Sequence, residues 1–287
     1  MSPPPPSPRS SLAAALAVIL FAFFSASTTK AASLEIQQGD HVVWLGNTFA
    51  ERMQYFGEIE SRLHARYPEH NLVVRNLAWS ADTISLRPRP KDFGDVHHYL
   101  SKVKADVILV CYGFNETWDY GEDEGIARFE ANLTSFLGGM QSRNYNGEST
   151  PKIVLYSPIA CEGTTVPDTP KRNRLLLLYT NTMQRVADSL GIPCIDLYSA
   201  SRAIYHQDKE TKHTINGIHL TAEGYLKLAP TILSDKLFAP LPDGAPLKAI
   251  RTEVLGKNDT FFDWYRTVNS FYICLLYTSD AADELRS

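Results

Sequence analysis

Five times along this chain a short run of branched aliphatic residues is followed by a stretch in which apolar residues recur every three or four positions. This alternation limits the possible folds more than any other feature. Val42 to Leu45 leads into Phe49, Met53, Phe56, Ile59, Leu63 and Tyr67 at helical spacing. Leu72 to Leu77, Asp106 to Tyr112, Ile153 to Tyr156 and Cys194 to Leu197 read as further strands. Between them, Val96, Tyr99, Leu100 and Val103 mark a short helix, Ile126 to Met140 a longer amphipathic one and Leu175 to Leu190 another. A last helix is predicted from Ala222 to before Pro240. Strands so continuously rich in Val, Ile and Leu are apolar on both faces, which argues for a parallel sheet covered by helices on each side. The expected fold is a three-layer α/β/α sandwich with a five-stranded parallel sheet, flavodoxin-like in plan.

In such sheets ligands sit beyond the carboxyl ends of the strands, so chemistry is sought in the loops beginning at Gly46, Ala78, Gly113, Ser157 and Tyr198. No GxGxxG follows the first strand, and neither a GxxxxGK[ST] phosphate loop nor a GxSxG elbow occurs. Nucleotide binding and the usual nucleophile elbow are thereby excluded. The strand ends carry four other blocks. They are Gly46-Asn47-Thr48-Phe49, Asn76-Leu77-Ala78-Trp79-Ser80-Ala81-Asp82-Thr83, Gly113-Phe114-Asn115-Glu116 and Asn216-Gly217-Ile218-His219-Leu220.

In order and position these blocks resemble those of the SGNH (GDSL-type) esterase and lipase family, whose pattern runs Gly-Asp-Ser-Leu, a Gly-bearing second block, Gly-x-Asn-Asp and Asp-x-x-His. The resemblance spans about Gly39 to Phe238. It implies Thr48 as nucleophile, His219 as general base and Asn216 as the group that orients the base. The implied oxyanion donors are the backbone N–H groups of Thr48 and Ala81 and the amide of Asn115, with Asn47, Glu116 and Trp79 as positions that contact substrate. No metal or other cofactor is implied.

Five positions depart from the family pattern: Asn47 for Asp, Thr48 for Ser, Ala81 for Gly, Glu116 for Asp and Asn216 for Asp. Threonine keeps the hydroxyl but stiffens χ1. Ala81 offers the same N–H, unless the position needs φ above zero. Asn216 can accept from an imidazole N–H but cannot neutralise an imidazolium, and the equivalent change in a serine protease lowers kcat by roughly 10⁴. A purely structural reading also stands beside each role. Thr48-Phe49-Ala50-Glu51 fits the S/T-x-x-E capping box. Asn115 is a type of residue that satisfies loop backbone, and His219 lies just before a helix. Arg87, Arg89, Trp79 and Trp118 either line a polar or carbohydrate site or pack their loops. His97-His98 points two rings about 100° apart on a helix, which suits a solvated surface better than a metal.

The flanks have their own character. Arg9, the apolar run Leu12 to Phe24 and small residues through Ala32 form the pattern of a secretory signal, too short for a comfortable membrane span. Residues 1–32 are therefore expected to be a signal peptide and the protein to be secreted or periplasmic, with no stable membrane span once the signal is removed. Residues 33–239 would be the hydrolase-like domain and 240–273 a C-terminal extension or the start of a further region. The stretch KNDTFFDWYRTVNSFYI resembles the tail that follows such domains in large multidomain proteins of planctomycete-type bacteria. Cys274 to Glu284 (CLLYTSDAADE) resembles a translated sequencing-library adaptor, so 274–287 is read as non-native. The four cysteines show no CxxC spacing and suggest no zinc site.

A formal charge of −4 with scattered Lys and Arg gives no polybasic surface, which excludes nucleic acid as a partner and favours a small neutral or polar substrate. The expectation is an exported ester hydrolase that removes acetyl or other small acyl groups from a carbohydrate through an acyl-enzyme on Thr48. The alternative is a non-catalytic binding module for a carbohydrate or ester on the same fold.

Overall fold

The computed structural model describes residues 1–2, 34–89, 92–163 and 165–266. The proposed signal run and the adaptor-like tail lie outside these residues. The five strands are β1 (His41–Gly46), β2 (Val73–Asn76), β3 (Val107–Cys111), β4 (Lys152–Tyr156) and β5 (Cys194–Ile195). They form one sheet in the order β2-β1-β3-β4-β5, every pair parallel. The helices are α1 (Thr48–Phe56), α2 (Glu58–Arg66), α3 (Val96–Lys102), α4 (Glu116–Asp119), α5 (Glu124–Gln141), α6 (Thr169–Leu190), α7 (Leu197–Gln207), α8 (Ala222–Ile232) and α9 (Leu247–Tyr265).

Alternation along the strands divides the core into two layers. Val42, Trp44 and Leu109 pack with Ile59 and Leu63 of α2 and Tyr225 and Leu228 of α8. Val43, Leu45, Ile108 and Val110 face the other way, onto Leu100 of α3, Phe129 and Leu133 of α5 and Tyr179 and Met183 of α6. The three-layer sandwich expected from the aliphatic runs is thus the fold observed. Strand order reverses between β1 and β3, and the crevice above such a switch point is where open α/β sheets hold ligands.

Several boundaries differ from the sequence reading. The continuous helical pattern from Phe49 to Tyr67 is broken at Gly57, whose φ of +65° ends α1 and starts α2 at a new angle. The strand read as Cys194 to Leu197 stops at Ile195, because Asp196 accepts the Ser199 N–H at 2.9 Å and caps α7, a helix the pattern did not reveal. Helix α8 ends at Ile232, earlier than its apolar pattern suggested.

The segment after residue 239, expected to be a C-terminal extension or the start of a further region, carries α9. Helix α9 lies on α1 and α2, burying Val254, Asn258 and Tyr265. Asn258 donates to the Gln54 carbonyl at 3.2 Å, the Tyr265 hydroxyl donates to the Leu77 carbonyl at 3.2 Å, and Arg266 donates to the Ala78 carbonyl. Residues 247–266 therefore belong to the same folded body as the sheet. Among the described residues no helix is long and apolar enough to cross a membrane.

Candidate active site

The site begins where β1 meets β3. A Cβ on Gly46 would lie 2.3 Å from the Cys111 carbonyl oxygen, so only glycine lets the two strand ends approach this closely. Asn47 N–H then donates to that same carbonyl at 3.1 Å and turns the chain into α1. Asn47, rather than Thr48, is the N-cap: its side-chain oxygen accepts the Phe49 N–H at 3.1 Å. The capping-box reading of Thr48 and Glu51 is therefore corrected. Glu51 instead accepts the hydroxyls of Tyr55, at 2.9 Å, and of Ser80. Asparagine one residue earlier competes successfully for the cap and leaves the threonine hydroxyl free for other work.

That hydroxyl accepts the N–H of Ala81 at 3.2 Å. Ala81 has φ +65°, a left-handed conformation that costs a residue with a Cβ about 1 to 2 kcal/mol. Its neighbours hold it there. Asn76 accepts the Ala78 N–H at 3.0 Å and donates to the Ala50 carbonyl at 2.7 Å, joining the end of β2 to α1. Asp82 is buried and meets Arg89 through two bonds of 2.8 and 2.6 Å, a fork that fixes the loop immediately after Ala81. Burial pushes the Asp82 carboxyl above its ordinary value, with Arg89 opposing the shift.

Asn115, at the end of β3, donates one amide proton to the Asp82 carbonyl at 2.9 Å, which leaves the second for a ligand. The adjacent Glu116 is not a substrate contact. It is 0% exposed, and its two oxygens accept the N–H groups of Ile84 and Gly113, each at 2.8 Å, so it braces the second block against the third. Burial raises its carboxyl to about 7.

His219 comes from the loop between α7 and α8. Asn216 folds over the same turn: its oxygen accepts the N–H of His219 at 3.1 Å and of Ile218 at 3.4 Å, while its amide nitrogen lies 3.0 Å from His219 Nδ1. Burial lowers the affinity of the ring for a proton, Arg52 adds to the effect and Glu51 opposes it. Glu51, the carboxylate whose charge opposes that shift, is committed to the hydroxyls of Tyr55 and Ser80.

Asn47, Thr48, Asn115 and His219 line one pocket of about 110 Å³. One water needs about 10 to 15 Å³, so the space admits an acetyl or another short acyl group. Its walls are Phe49, Phe114 and Trp118 with the segment Ser157, Pro158 and Ile159 after β4. Thr48 and His219 share the pocket without a hydrogen bond between them among the described residues; the bond Thr48 makes is to Ala81.

The expected contact role of Trp79 is also corrected. Its indole is only 9% exposed, with the guanidinium groups of Arg89 and Arg266 4.0 and 4.4 Å from its ring centre. The tryptophan at the pocket is Trp118, 49% exposed, with Arg172 stacked 3.4 Å from its ring centre. The wall after β4 was signalled in the sequence only by its strand-end position at Ser157. His97 hydrogen-bonds the Tyr145 hydroxyl at 2.7 Å, and among the described residues no three His, Cys, Asp or Glu side chains form a metal-holding group.

Comparison with known proteins follows this geometry. A model of the GDSL-like lipase/acylhydrolase family matches residues 44–227. Among solved structures, an acetylxylan esterase (Axe2) from Geobacillus stearothermophilus is 19% identical with a TM-score of 0.54, covering 71% of this chain and 96% of its own. An α/β hydrolase, LAE5, from the metagenome of Lake Arreo, Spain, is 19% identical with a TM-score of 0.54, over 70% of this chain and 96% of its own. A gut microbial diltiazem-metabolizing enzyme is 18% identical with a TM-score of 0.53, over 71% of this chain and 48% of its own. At these identities the likeness is one of fold. The sequence matches no curated protein.

Proposed function

Because this chain belongs to the GDSL-like lipase/acylhydrolase family, we propose that it hydrolyses a small ester, an acetyl or similarly short acyl group carried on a carbohydrate, through an acyl-enzyme on Thr48. His219, in the tautomer protonated at Nδ1, takes the proton from the Thr48 hydroxyl on Nε2 as Oγ1 attacks the ester carbonyl. The oxyanion is held by the N–H groups of Thr48 and Ala81 and the free amide proton of Asn115. His219 then returns the proton to the departing alkoxide, and a water activated by the same ring releases the acid.

The observation that carries this reading is the 3.2 Å approach of the Ala81 N–H to Thr48 Oγ1, in a pocket that Asn115 and His219 also line. As the first residue of α1, Thr48 has an N–H that the helix itself cannot use, at the positive end of the helix dipole. Losing one oxyanion donor typically costs about 2.7 to 4 kcal/mol of transition-state stabilisation. The pocket volume favours a short acyl group, and the exposed face of Trp118 at its rim favours a sugar as the alcohol. The signal-like residues 1–32 support export to the periplasm or medium, where such esters on polysaccharides are met.

The test is release of p-nitrophenol from p-nitrophenyl acetate by the purified protein, with Thr48→Ala and His219→Ala beside it. Activity equal in all three would sink the hydrolase. A second reading, a binding module that kept the pocket and lost the chemistry, is favoured by one observation: the amide nitrogen of Asn216 faces His219 Nδ1. Covalent labelling of Thr48 by a fluorophosphonate would eliminate that alternative.

A further inference from the structure

We propose that Glu162 is a positioning residue for His219, joining the loop that carries the imidazole to the wall of the pocket; the inference rests on the reading of His219 as the base. The loop of residues 213–221 is not a direct extension of any strand, so something else must place it. Glu162, between β4 and α6, accepts the N–H of His213 at 3.0 Å and, on its other oxygen, the N–H and hydroxyl of Thr214 at 2.7 and 2.5 Å. The Thr214 hydroxyl in turn accepts the Gly217 N–H at 2.9 Å, and the Gly217 carbonyl accepts the Glu162 N–H at 2.8 Å. Asn216 and His219 flank that clasped residue.

The support itself is fixed. Asn173 of α6 grips Cys161 from both sides, accepting its N–H at 2.8 Å and donating to its carbonyl at 3.0 Å. Ser201 of α7 accepts the Ala160 N–H at 2.9 Å. Gly217 leaves no slack, since a Cβ there would lie 2.8 Å from Val166 and 3.1 Å from the Glu162 carbonyl oxygen. The same loop supplies Ser157, Pro158 and Ile159 to the pocket. Substrate wall and base therefore share one mount, with Glu162 as its joint. Three donors converge on the carboxylate, and only an acceptor-only, charged group satisfies all of them.

The experiment compares Glu162→Gln and Glu162→Asp with the parent protein. Glutamine keeps the size but presents a donor where an N–H already points. For Glu162→Gln, kcat on p-nitrophenyl acetate is expected to fall by about 10- to 100-fold, the cost of a displacement of roughly 1 Å, with KM little changed. The NMR titration of the His219 ring is expected to move toward the ordinary imidazole value, and Glu162→Asp to recover part of both effects. Should Glu162→Gln fail to fold, Thr214→Val removes one leg of the joint and is read in the same way. An unchanged kcat together with an unmoved His219 titration would overturn the proposal. If the parent protein turns over no ester, the hydrolase reading fails by itself, and the His219 titration alone decides the role of Glu162.

Discussion

Asn216 turns its amide nitrogen, not its oxygen, toward His219 Nδ1, at 3.0 Å, because the oxygen is already held by the His219 N–H at 3.1 Å. Accepting that amide proton at Nδ1 would place the ring proton on Nε2, so the Asn216 contact disfavours the tautomer that deprotonates Thr48. A carboxylate in the same place could accept both the backbone N–H and an Nδ1–H. Asn216→Asp is therefore expected to raise kcat/KM on p-nitrophenyl acetate by about 100-fold or more, the reverse of the roughly 10⁴ loss known for the opposite change in a triad. A variant no faster than the parent would show that the ring reaches its productive tautomer without help.

Thr48 acts, on the proposed mechanism, with a hydroxyl whose rotamer is narrowed by its methyl group. Thr48→Ser keeps Oγ and its Ala81 contact while freeing χ1, and should increase kcat between about 10- and 100-fold. Steady-state kinetics of the two proteins side by side checks this, and a serine variant slower than the parent would place the methyl group in a productive role.

The pH dependence of kcat/KM should carry the signature of His219. Burial and the nearby Arg52 lower its proton affinity, so the ring stays neutral to more acid pH than a free imidazole. The acid limb of the profile is expected below the ordinary value of about 6.5. A limb above that value would indicate a different base.

Ala81 sits at φ +65°, where glycine is unstrained. Ala81→Gly should stabilise the fold by about 1 kcal/mol, more than offsetting the added freedom of the unfolded chain. Because the N–H keeps its direction, activity should be retained. Thermal denaturation with a parallel rate assay measures both.

Glu116 predicts how stability responds to pH. Its folded value near 7 lies above the ordinary 4.5, so between those values the folded state holds a proton that the unfolded state releases. Unfolding free energy from this group therefore falls as pH rises through that window, by up to about 3 kcal/mol. Glu116→Gln should flatten the slope in urea denaturation series, at the cost of one hydrogen bond to either Ile84 or Gly113. A slope that persists in the variant would assign it to other groups.

The strands were legible because Val42 to Leu45, Asp106 to Tyr112 and Ile153 to Tyr156 are buried on both faces and had to be apolar throughout. Thr48 and Asn115 could be picked out for the same reason, since each follows the end of a buried strand, whereas His219, in the loop between α7 and α8, was legible only through its Asn-Gly-Ile-His-Leu block. What failed were decisions made by neighbours. Whether Thr48 or Asn47 caps α1 depends on which side chain reaches an N–H first, and either residue type can do so. Glu116 and Trp79 look like binding residues by type and order, yet three-dimensional packing turns both inward. Trp118 was readable only as one of two alternatives, site or loop packing, and the Ser157 to Ile159 wall only by the strand-end position of Ser157, since they meet Thr48 only after the sheet is assembled. Helix α9 was unreadable because it buries just Val254, Asn258 and Tyr265, too sparse a set to leave an apolar period.

Trp79 is clasped by two arginines from distant parts of the chain, Arg89 just beyond its own loop and Arg266 at the far end of α9. The stretch matched by the family model, residues 44–227, includes only the first of them. A fragment trimmed to that signature would lose Tyr265 and Arg266 and with them the donors to the Leu77 and Ala78 carbonyls, four and three residues before Ala81. The contacts that hold the chain just before Ala81 therefore reach well past the boundary by which its relatives are recognised.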